Sequence, residues 1–251
     1  MYYANPESSC LVEQDEEPPH ELDEDARKIA LIIASALKSN IFSEIYPMRK
    51  TVIDGSNTTG FQRTMLISQG GFYDVEGTKI GIQSICLEED AAKILGEQDS
   101  IRKYGLERLG VPLVEIATEP FEVKPQEIRK IALSLGRILR STKKVKRGLG
   151  SIRQDVNVSI KEGGVVIEVK GVQQLEQLEK VVEYEAKRQH GLLRISKKLR
   201  EKNWIHDYKG DRKDITKLFS KCKSKIIQNA IKKNQKIFAI SFRNMAGMFG
   251  Y

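Results

Sequence analysis

Apolar and polar residues alternate through FQRTMLISQGGFYDVEGTKIGIQSICLEED, residues 61–90, and glycines interrupt the alternation. Strict alternation places successive side chains on opposite faces of a β-strand. Gly70 and Gly71 supply a turn between two such runs, and glycine-broken runs of β-branched residues are typical of antiparallel hairpins. The sequence between residues 46 and 87 therefore predicts an antiparallel sheet.

Predicted helices precede and follow this sheet along the chain. Residues 23–40 carry apolar side chains at helical spacing behind an acidic first turn, and Pro125 opens a second helix, PQEIRKIALSLGRILRS. The other expected elements are a strand at 109–120, a hairpin of strands 151–160 and 165–172, a long helix at 175–202, and a helix and strand within 214–242. These elements predict an α+β fold built on an antiparallel sheet with flanking helices.

Composition excludes several classes of protein. The 251 residues are 40% apolar, which is enough for a core, and include no run of eighteen apolar residues that could cross a bilayer. The first ten residues lack the basic and apolar regions of a secretory signal, and the three cysteines form no CxxC pair. We therefore expect a cytoplasmic protein with no disulfide framework, zinc knuckle or membrane segment.

The net charge of +8 is unevenly distributed. Residues 13–25 contain eight acidic side chains and no lysine or arginine. Residues 124–153 contain ten lysines and arginines against one acid, and residues 194–236 contain fifteen against four. Clustered cations favour a polyanionic partner because they release counterions from phosphates, whereas the alternative is a solvated lysine-rich surface.

Three adjacent carboxylates, Glu88, Glu89 and Asp90, follow a predicted strand in LEEDAAK. Like charges that gather around one point need a cation. The predicted strand LVEIATEP carries Glu115, so neighbouring strands could present Glu88 or Glu89 beside Glu115. Mg²⁺ favours such sites, with one or two protein carboxylates completed by waters and phosphates. The alternative is a solvated acidic loop that caps a helix beginning near Ala91.

Cations also flank a polar turn in RKTVIDGSNTTGFQRT, residues 49–64. The backbone amides of GSNTTG, together with Arg49, Lys50 and Arg63, could hold a phosphate or the 3′ end of a tRNA. The segment is not a P-loop, because neither GxxxxGK[ST] nor GxGxxG occurs. The alternative is an ordinary hairpin loop with exposed cations.

A further cationic turn, KKVKRGLGSIRQDVNVSI at 143–160, contains Arg147, Arg153 and Asp155. An arginine two residues before an aspartate on a strand shares its face, so Arg153 and Asp155 form either a structural ion pair or a clamp on a phosphoryl oxygen. The three histidines lack metal-ligand spacing and are assigned no chemistry: His20, His190 and His206.

Together these motifs resemble the B/E family of tRNA-dependent amidotransferase subunits. The resemblance covers most of residues 9–200 and is carried by CLVEQDEEPP, MRKTVIDGSNTTGFQRT, LEEDAAK, RLGVPLVEIATEP, RGLGSIRQDVNVSI and IEVKGVQQLEQLEKVVEYEAKRQ. The segment VIDGSNTTGFQRT is similar to the archaeal E-type chains, since bacterial B-type chains have a Tyr/Pro/Asp-rich segment there.

The resemblance implies a cradle-type catalytic domain, two cofactors and a reaction. Such proteins use ATP and Mg²⁺ to phosphorylate the γ-carboxylate of glutamate esterified to tRNA(Gln). Ammonia from an asparaginase-like amidotransferase partner of the D type then displaces phosphate to give glutaminyl-tRNA(Gln). A hetero-oligomer that binds tRNA(Gln) is therefore implied.

Site residues are implied by the same motifs. Glu89 and Glu115 match the family's catalytic metal ligands, and Glu88 and Asp90 are expected to bind the metal through water. The other matches are catalytic residues Arg153 and Asp155 and substrate-binding residues Arg49, Lys50, Arg63 and Arg147.

The resemblance also implies that the chain is a fragment. The family begins with a strand carrying a Gly-Leu-Glu-Ile-His motif that helps bind the metal, and its E-type members continue into an inserted domain, a helical domain and a tRNA-binding tail. We expect a partial cradle domain at residues 1–205, a segment at 206–251 that leads towards the inserted domain, and no glutaminyl-tRNA formation by this chain alone. The second hypothesis is a non-catalytic tRNA-binding or scaffold fragment with the same fold.

Overall fold

The computed structural model describes residues 1–148, 150–172, 174–201 and 211–241. Within these ranges the α-helices are α1 (Glu24–Ala36), α2 (Pro125–Ser141), α3 (Leu175–Glu201) and α4 (Lys225–Lys232). The strands are β1 (Tyr2–Tyr3), β2 (Asn40–Ile41), β3 (Pro47–Thr51), β4 (Phe61–Gln69), β5 (Phe72–Val75), β6 (Thr78–Glu89), β7 (Lys93–Gln98), β8 (Ile101–Gly105), β9 (Pro112–Thr118), β10 (Val156–Val158), β11 (Ile167–Val169), β12 (Asp211–Asp214) and β13 (Phe238–Ser241). Helices and antiparallel sheets are thus combined, and the predicted α+β fold is confirmed.

The main sheet contains six strands, all paired antiparallel. Strands β2, β4, β6 and β5 are neighbours in that order, while β3 pairs with β4 and β9 pairs with β6. The central strand β6 shifts register against β9 between Ile82 and Ser84, and β4 shifts against β6 between Leu66 and Ser68. These shifts decide which β6 residues reach each face of the sheet.

One face of the main sheet carries the core. Ile33 of α1 packs there with Met65, Ile67, Ile85 and Leu87, all buried. Complete burial of such a side chain contributes about 1.5–3 kcal/mol, so this face holds the sheet and helices together. The opposite face is only partly covered and is called the open face below: Thr64 and Cys86 are half-buried there, and Glu115 is exposed.

Helix α1 is shorter than the predicted 23–40. The Asp23 side chain caps its first turn by accepting a hydrogen bond from the Ala26 amide at 2.6 Å. At the other end Lys38 adopts a positive φ of 54°, and the Ser39 amide donates to the Ala34 carbonyl, so the chain leaves the helix in a Schellman-type turn. The helix therefore ends at Ala36.

A second sheet, which the sequence pattern did not predict, orders its strands β1-β8-β7. Its β7–β8 hairpin turns at Asp99 and Ser100, both with positive φ, and β1 pairs with β8 in parallel. The chain enters β7 shortly after Asp90. The alternative of a helix beginning near Ala91 is therefore wrong.

The described residues divide into two compact units, one from Met1–Gln154 with Gln173–Glu179 and the other from Asp155–Val172 with Lys180–Tyr251. The first contains the main sheet. The second includes the predicted hairpin, which forms as β10 and β11 but with three residues in each strand. The predicted boundary between residues 205 and 206 lies outside the described residues. No helix within the described ranges is both long and apolar enough to cross a membrane.

Candidate active site

A buried carboxylate lies on the open face of the main sheet. Glu88 of β6 is 8% exposed. Its Oε1 atom accepts a hydrogen bond from Thr64 Oγ1 at 3.1 Å and lies 3.1 Å from Lys50 Nζ. The neighbouring strands β3 and β4 thus supply one cation and one hydroxyl to this acid, which offset the cost of burying its charge.

Two further polar residues adjoin Glu88. Cys86 lies two residues earlier on β6 and therefore on the same face, and it pairs directly with Glu115 of β9. Burial raises the pKa of the Cys86 thiol, and the negative charges of Glu115 and Glu88 raise it further, against an opposing effect of Lys50. Strand pairing and the Lys50–Glu88 ion pair place these groups in one neighbourhood, which we call the polar cluster. Its members are Lys50, Thr64, Cys86, Glu88 and Glu115.

Glu89 belongs to the other face of the sheet. It pairs with Pro112, three residues before Glu115, and an odd separation along a regular strand reverses the face. The expectation that Glu89 and Glu115 meet at one ion is therefore wrong. Glu88 takes the position beside Glu115 because it lies an even number of residues from Cys86.

Glu89 is paired with Arg63 instead. Arg63 Nε donates to Glu89 Oε2 at 2.9 Å, a second guanidinium nitrogen bonds Glu89 Oε1, and a third donates to the His20 carbonyl at 2.7 Å. The side chains of Arg63 and Glu89 are only 14% and 21% exposed. This bidentate pair forms part of the wall of a cavity of about 390 Å³ that the acidic N-terminal segment also lines. The pair links that segment to the main sheet.

Three of the four predicted substrate-binding cations lie on the main sheet and are divided between its two faces. Lys50 joins the polar cluster, whereas Arg49 lies opposite Arg63 and over the Phe61 ring, 4.8 Å from its centroid. Arg147 is exposed and makes no hydrogen bond or ion pair with another described residue. The structure therefore brings one of the four predicted cations, Lys50, to the paired carboxylates.

Asp90, the third acid of LEEDAAK, forms ion pairs with two arginines. Asp90 Oδ2 lies 3.1 Å from Arg108 Nε and 3.5 Å from a terminal nitrogen of Arg153. Asp155 lies in the second unit, where its carboxylate is 3.8 Å from Lys170 Nζ. The predicted strand at 151–160 begins only at Val156. Arg153 and Asp155 therefore do not share a strand face, and the pair predicted from their spacing is wrong.

The polar turn GSNTTG is anchored within its unit. Ser56 and Asn57 are buried, and Tyr104 donates its hydroxyl hydrogen to the Asp54 carbonyl at 2.6 Å. The Ser56 amide donates to the Asp54 carboxylate, and hydrogen bonds from Ser56 hold the pKa of that acid below its usual value. The Gly60 amide donates to the Asn57 carbonyl. Two amides that were expected to hold a phosphate are thus already bonded inside the loop.

Among the described residues, no group of three or more histidine, cysteine and acidic side chains is arranged to hold a metal ion. His20 lies 3.6 Å from the Cys10 thiol, and His190 lies 3.9 Å from Glu162. His206 falls outside the described residues. Within the described ranges, the carboxylates of the polar cluster that could bind a metal are those of Glu88 and Glu115.

The sequence is similar to proteins of one family. A family model described as the GatB/GatE catalytic domain matches residues 7–235. Three relatives are E-type glutamyl-tRNA(Gln) amidotransferase subunits, 49% identical over 252 residues in Sulfolobus acidocaldarius, 49% over 251 in Methanocaldococcus jannaschii and 50% over 247 in Saccharolobus solfataricus. These alignments cover 99%, 100% and 97% of the chain, and 40%, 39% and 38% of the three relatives.

Proposed function

Because the chain belongs to the GatB/GatE catalytic-domain family, we propose that it is the catalytic part of a tRNA-dependent amidotransferase that converts Glu-tRNA(Gln) to Gln-tRNA(Gln). The chain spans about two-fifths of the length of the relatives it matches. The name of these relatives supplies the substrate class, an aminoacylated tRNA(Gln). ATP activates the glutamyl γ-carboxylate as an acyl phosphate, and ammonia then replaces phosphate.

One observation carries the proposal: Glu88 and Glu115 lie on the same open face with Lys50 beside them. Diagonal neighbours on adjacent antiparallel strands are within reach of long side chains. A partly open sheet surface admits a large substrate, whereas the opposite face is packed with the apolar core. The paired acids and the lysine therefore have the chemistry and the access that phosphoryl transfer to a tRNA-linked carboxylate requires.

The donor set of the polar cluster fits Mg²⁺. Mg²⁺ takes oxygen ligands and is commonly bound by one or two carboxylates, with waters and phosphates completing its coordination. Glu88 and Glu115 would hold the ion, which when bound neutralises charge on the transferred phosphoryl group. Cys86 is a soft, protonated thiol and is unsuited to this ion.

Each remaining residue of the polar cluster has a role in the proposal. The ammonium group of Lys50 lies 3.1 Å from Glu88. In the proposal this group moves to pair with a phosphoryl oxygen when the substrate binds. Thr64 fixes the Glu88 carboxylate by hydrogen bonding to Oε1. The Arg63–Glu89 pair lies on the other face and maintains the strands that carry the acids.

The partners follow from the proposed reaction. The substrate is tRNA(Gln) carrying glutamate, and the basic residues of 124–153 and 194–236 supply positive charge for its phosphates. Ammonia requires a second protein with asparaginase-like chemistry, the D-type amidotransferase partner, so the working enzyme is a hetero-oligomer.

The test is glutaminyl-tRNA formation from Glu-tRNA(Gln), ATP, Mg²⁺ and ammonium, in the complex with the ammonia-supplying partner. Glu88→Gln and Glu115→Gln should each lower the rate at least about a hundredfold, because each removes a charged ligand of the ion that would neutralise the transferred phosphoryl group. Glu97→Gln is the matched control, since Glu97 is exposed and its carboxylate pairs, within the part of the chain that the structure describes, only with Arg102. Thermal unfolding of each variant separates lost chemistry from lost folding.

Two results would contradict the proposal. Full activity of both acid variants would place the chemistry elsewhere. Tight tRNA binding by a wild-type complex that never consumes ATP would favour the non-catalytic RNA-binding hypothesis.

A further inference from the structure

Three reactive side chains meet in the N-terminal segment, outside the polar cluster. Cys10 Sγ lies 3.6 Å from Nε2 of His20, and the Cys10 amide donates to the Glu13 carboxylate at 2.6 Å. Burial raises the pKa of the Glu13 carboxyl, but hydrogen bonds from Cys10 and the charge of His20 outweigh it and lower that pKa. We call these three residues the thiol cluster. Cys10 and His20 are exposed, so a reagent in solution can reach the sulfur.

Contacts to the rest of its unit hold the thiol cluster in place. Arg63 donates to the His20 carbonyl at 2.7 Å, and Thr58 donates its hydroxyl hydrogen to the Glu13 carbonyl at 2.9 Å. Glu13 and His20 also line the cavity of about 390 Å³. The fold therefore brings the sulfur and the imidazole together across ten residues of sequence. A group attached to the sulfur would lie beside the cavity wall.

An imidazole beside a thiol assists its reaction as a nucleophile. The thiolate is the attacking form, and a neighbouring base forms it by accepting the proton. His20 can accept the proton of Cys10 and then return it to a leaving group. The other two sulfurs, those of Cys86 and Cys222, have no hydrogen bond to a histidine among the residues that the structure describes. The arrangement therefore distinguishes Cys10 from both.

The surroundings of Cys10 favour a cationic reagent. Residues 13–25 contain eight acids and no lysine or arginine. The chain folds back directly after Cys10, since the Glu16 amide donates to the Leu11 carbonyl at 2.9 Å, so the first of these acids stay near the sulfur. Ser9 Oγ is buried and has no hydrogen-bond partner within the described ranges, and an amine can supply one. An ammonium group is attracted to such a site, whereas a carboxylate is repelled.

We propose that Cys10 is a modification site that forms a mixed disulfide with small cationic aminothiol disulfides, R–S–S–R. This modification does not require the proposed amidotransferase activity. His20 takes the proton of the Cys10 thiol, the thiolate attacks one sulfur of the reagent, and the S–S bond breaks. The Cys10 sulfur is oxidised and the leaving sulfur is reduced. The leaving thiolate takes the proton from His20 and departs as R–SH, and an excess of free thiol reverses the exchange.

Cys222 provides an internal reference of opposite charge, because it lies between Lys221 and Lys223. The full chain is treated with cystamine, a cationic disulfide, or with dithiodiglycolate, an anionic one, and peptide mass spectrometry follows each mixed disulfide. The ratio of the rates at Cys10 and Cys222 cancels the intrinsic reactivity of each reagent. At low salt we expect this ratio to be at least about tenfold higher with cystamine, the lower end of electrostatic rate enhancement. High salt should reduce the difference.

A matched pair of variants tests the role of His20. His20→Ala removes the base and should slow the reaction of Cys10 with cystamine at least about tenfold. His190→Ala removes another exposed histidine, which lies 3.9 Å from Glu162, and should leave the rate unchanged. In urea, wild type and His20→Ala should react equally, because the contact between sulfur and imidazole depends on the fold.

Three results would overturn the proposal: a rate ratio that is the same for both reagents, equal or faster reaction of Cys10 in native His20→Ala, and a difference between His20→Ala and wild type that persists in urea. No amidotransferase activity is measured in these experiments. Failure of the proposed function would therefore leave the labelling rates unchanged, and the two proposals can be rejected separately.

Discussion

Glu88 and Glu115 lie on the same face of the main sheet, because Glu115 pairs with Cys86 and Cys86 lies two residues before Glu88. The relationship depends on register alone and would be lost if either strand slipped by one residue. It identifies which of the adjacent acids in LEEDAAK is available for the proposed chemistry.

Divalent-cation binding should distinguish Glu88 from Glu89. Glu88→Gln and Glu115→Gln remove oxygen ligands from the open face and should weaken Mn²⁺ binding at least about tenfold. Glu89→Gln should leave Mn²⁺ affinity within about twofold, because its carboxylate lies on the other face and binds Arg63. Mn²⁺ titration followed by electron paramagnetic resonance measures this directly. An equal loss in Glu88→Gln and Glu89→Gln would contradict the assignment of faces.

Arg63 should matter for stability. Arg63→Ala leaves the mostly buried Glu89 carboxylate without its bidentate partner and removes the bond to the His20 carbonyl. The expected loss in free energy of unfolding is about 1–3 kcal/mol, the usual cost of an unsatisfied buried group. Urea unfolding measures it. The double variant Arg63→Ala with Glu89→Ala should recover part of the loss, and no recovery would show that the pair is not the cause.

The fold was largely predictable from local patterns, whereas the pairing of acids was not. Alternation predicted the strands around Gly70 and Gly71, and helical spacing with Pro125 predicted α2. Ile80 and Ile82 are buried, and so are Ile85 and Leu87, so the buried positions change from even to odd numbers across the register shift at Ile82/Ser84. Without the shift, Glu88 would share the buried face with Ile82, and Glu89 would lie on the open face. The register shift between Ile82 and Ser84 reverses this assignment.

Other features depend on contacts between segments distant in sequence. The Lys50–Glu88 pair joins β3 to β6, and no local pattern distinguishes Lys50 from the adjacent Arg49. The parallel pairing of β1 with β8 joins residues about a hundred positions apart. The β7–β8 hairpin was missed because its turn consists of Asp99 and Ser100, without the glycine that usually accompanies positive φ.

The reactivity of Cys86 should report the charge of Glu115. Burial, Glu115 and Glu88 raise the pKa of this thiol, so less thiolate is present at a given pH. Glu115→Gln removes one negative charge, lowers the pKa of Cys86 and should speed its alkylation at mildly alkaline pH. Iodoacetamide labelling with peptide mass spectrometry measures the rate, and exposed Cys10 serves as internal reference. Slower labelling of Cys86 in the variant would contradict the predicted sign.

Alkaline pH should destabilise the main unit through Tyr73. Burial raises the pKa of this phenol from 10.0 to about 12. The unfolded chain therefore loses the proton first, and stability that is present below pH 10 falls as pH rises towards 12. Tyr73→Phe removes this proton and should flatten the decline of the unfolding midpoint between these values. Urea titrations at several pH values measure the slope, and equal slopes in both proteins would exclude Tyr73 as the source.

RNA binding should be strongly salt-dependent because its driving force is counterion release. Residues 137–147 carry six exposed cations at the end of α2 and in the loop that follows: Arg137, Arg140, Lys143, Lys144, Lys146 and Arg147. Each phosphate contact contributes a slope of about 0.9 to the plot of log affinity against log salt, so several contacts give a total of several units. Replacing Arg140 and Lys144 by glutamine should lower that slope by about 1–2 and weaken binding of all RNA sequences alike, since phosphates carry no sequence information.

The same net charge is removed by replacing Lys28 and Arg102, which lie in α1 and β8, and this control should leave the slope unchanged. Fluorescence anisotropy of a labelled tRNA at increasing salt separates the two variants, and an equal change in both would show that net charge, rather than this surface, governs RNA binding.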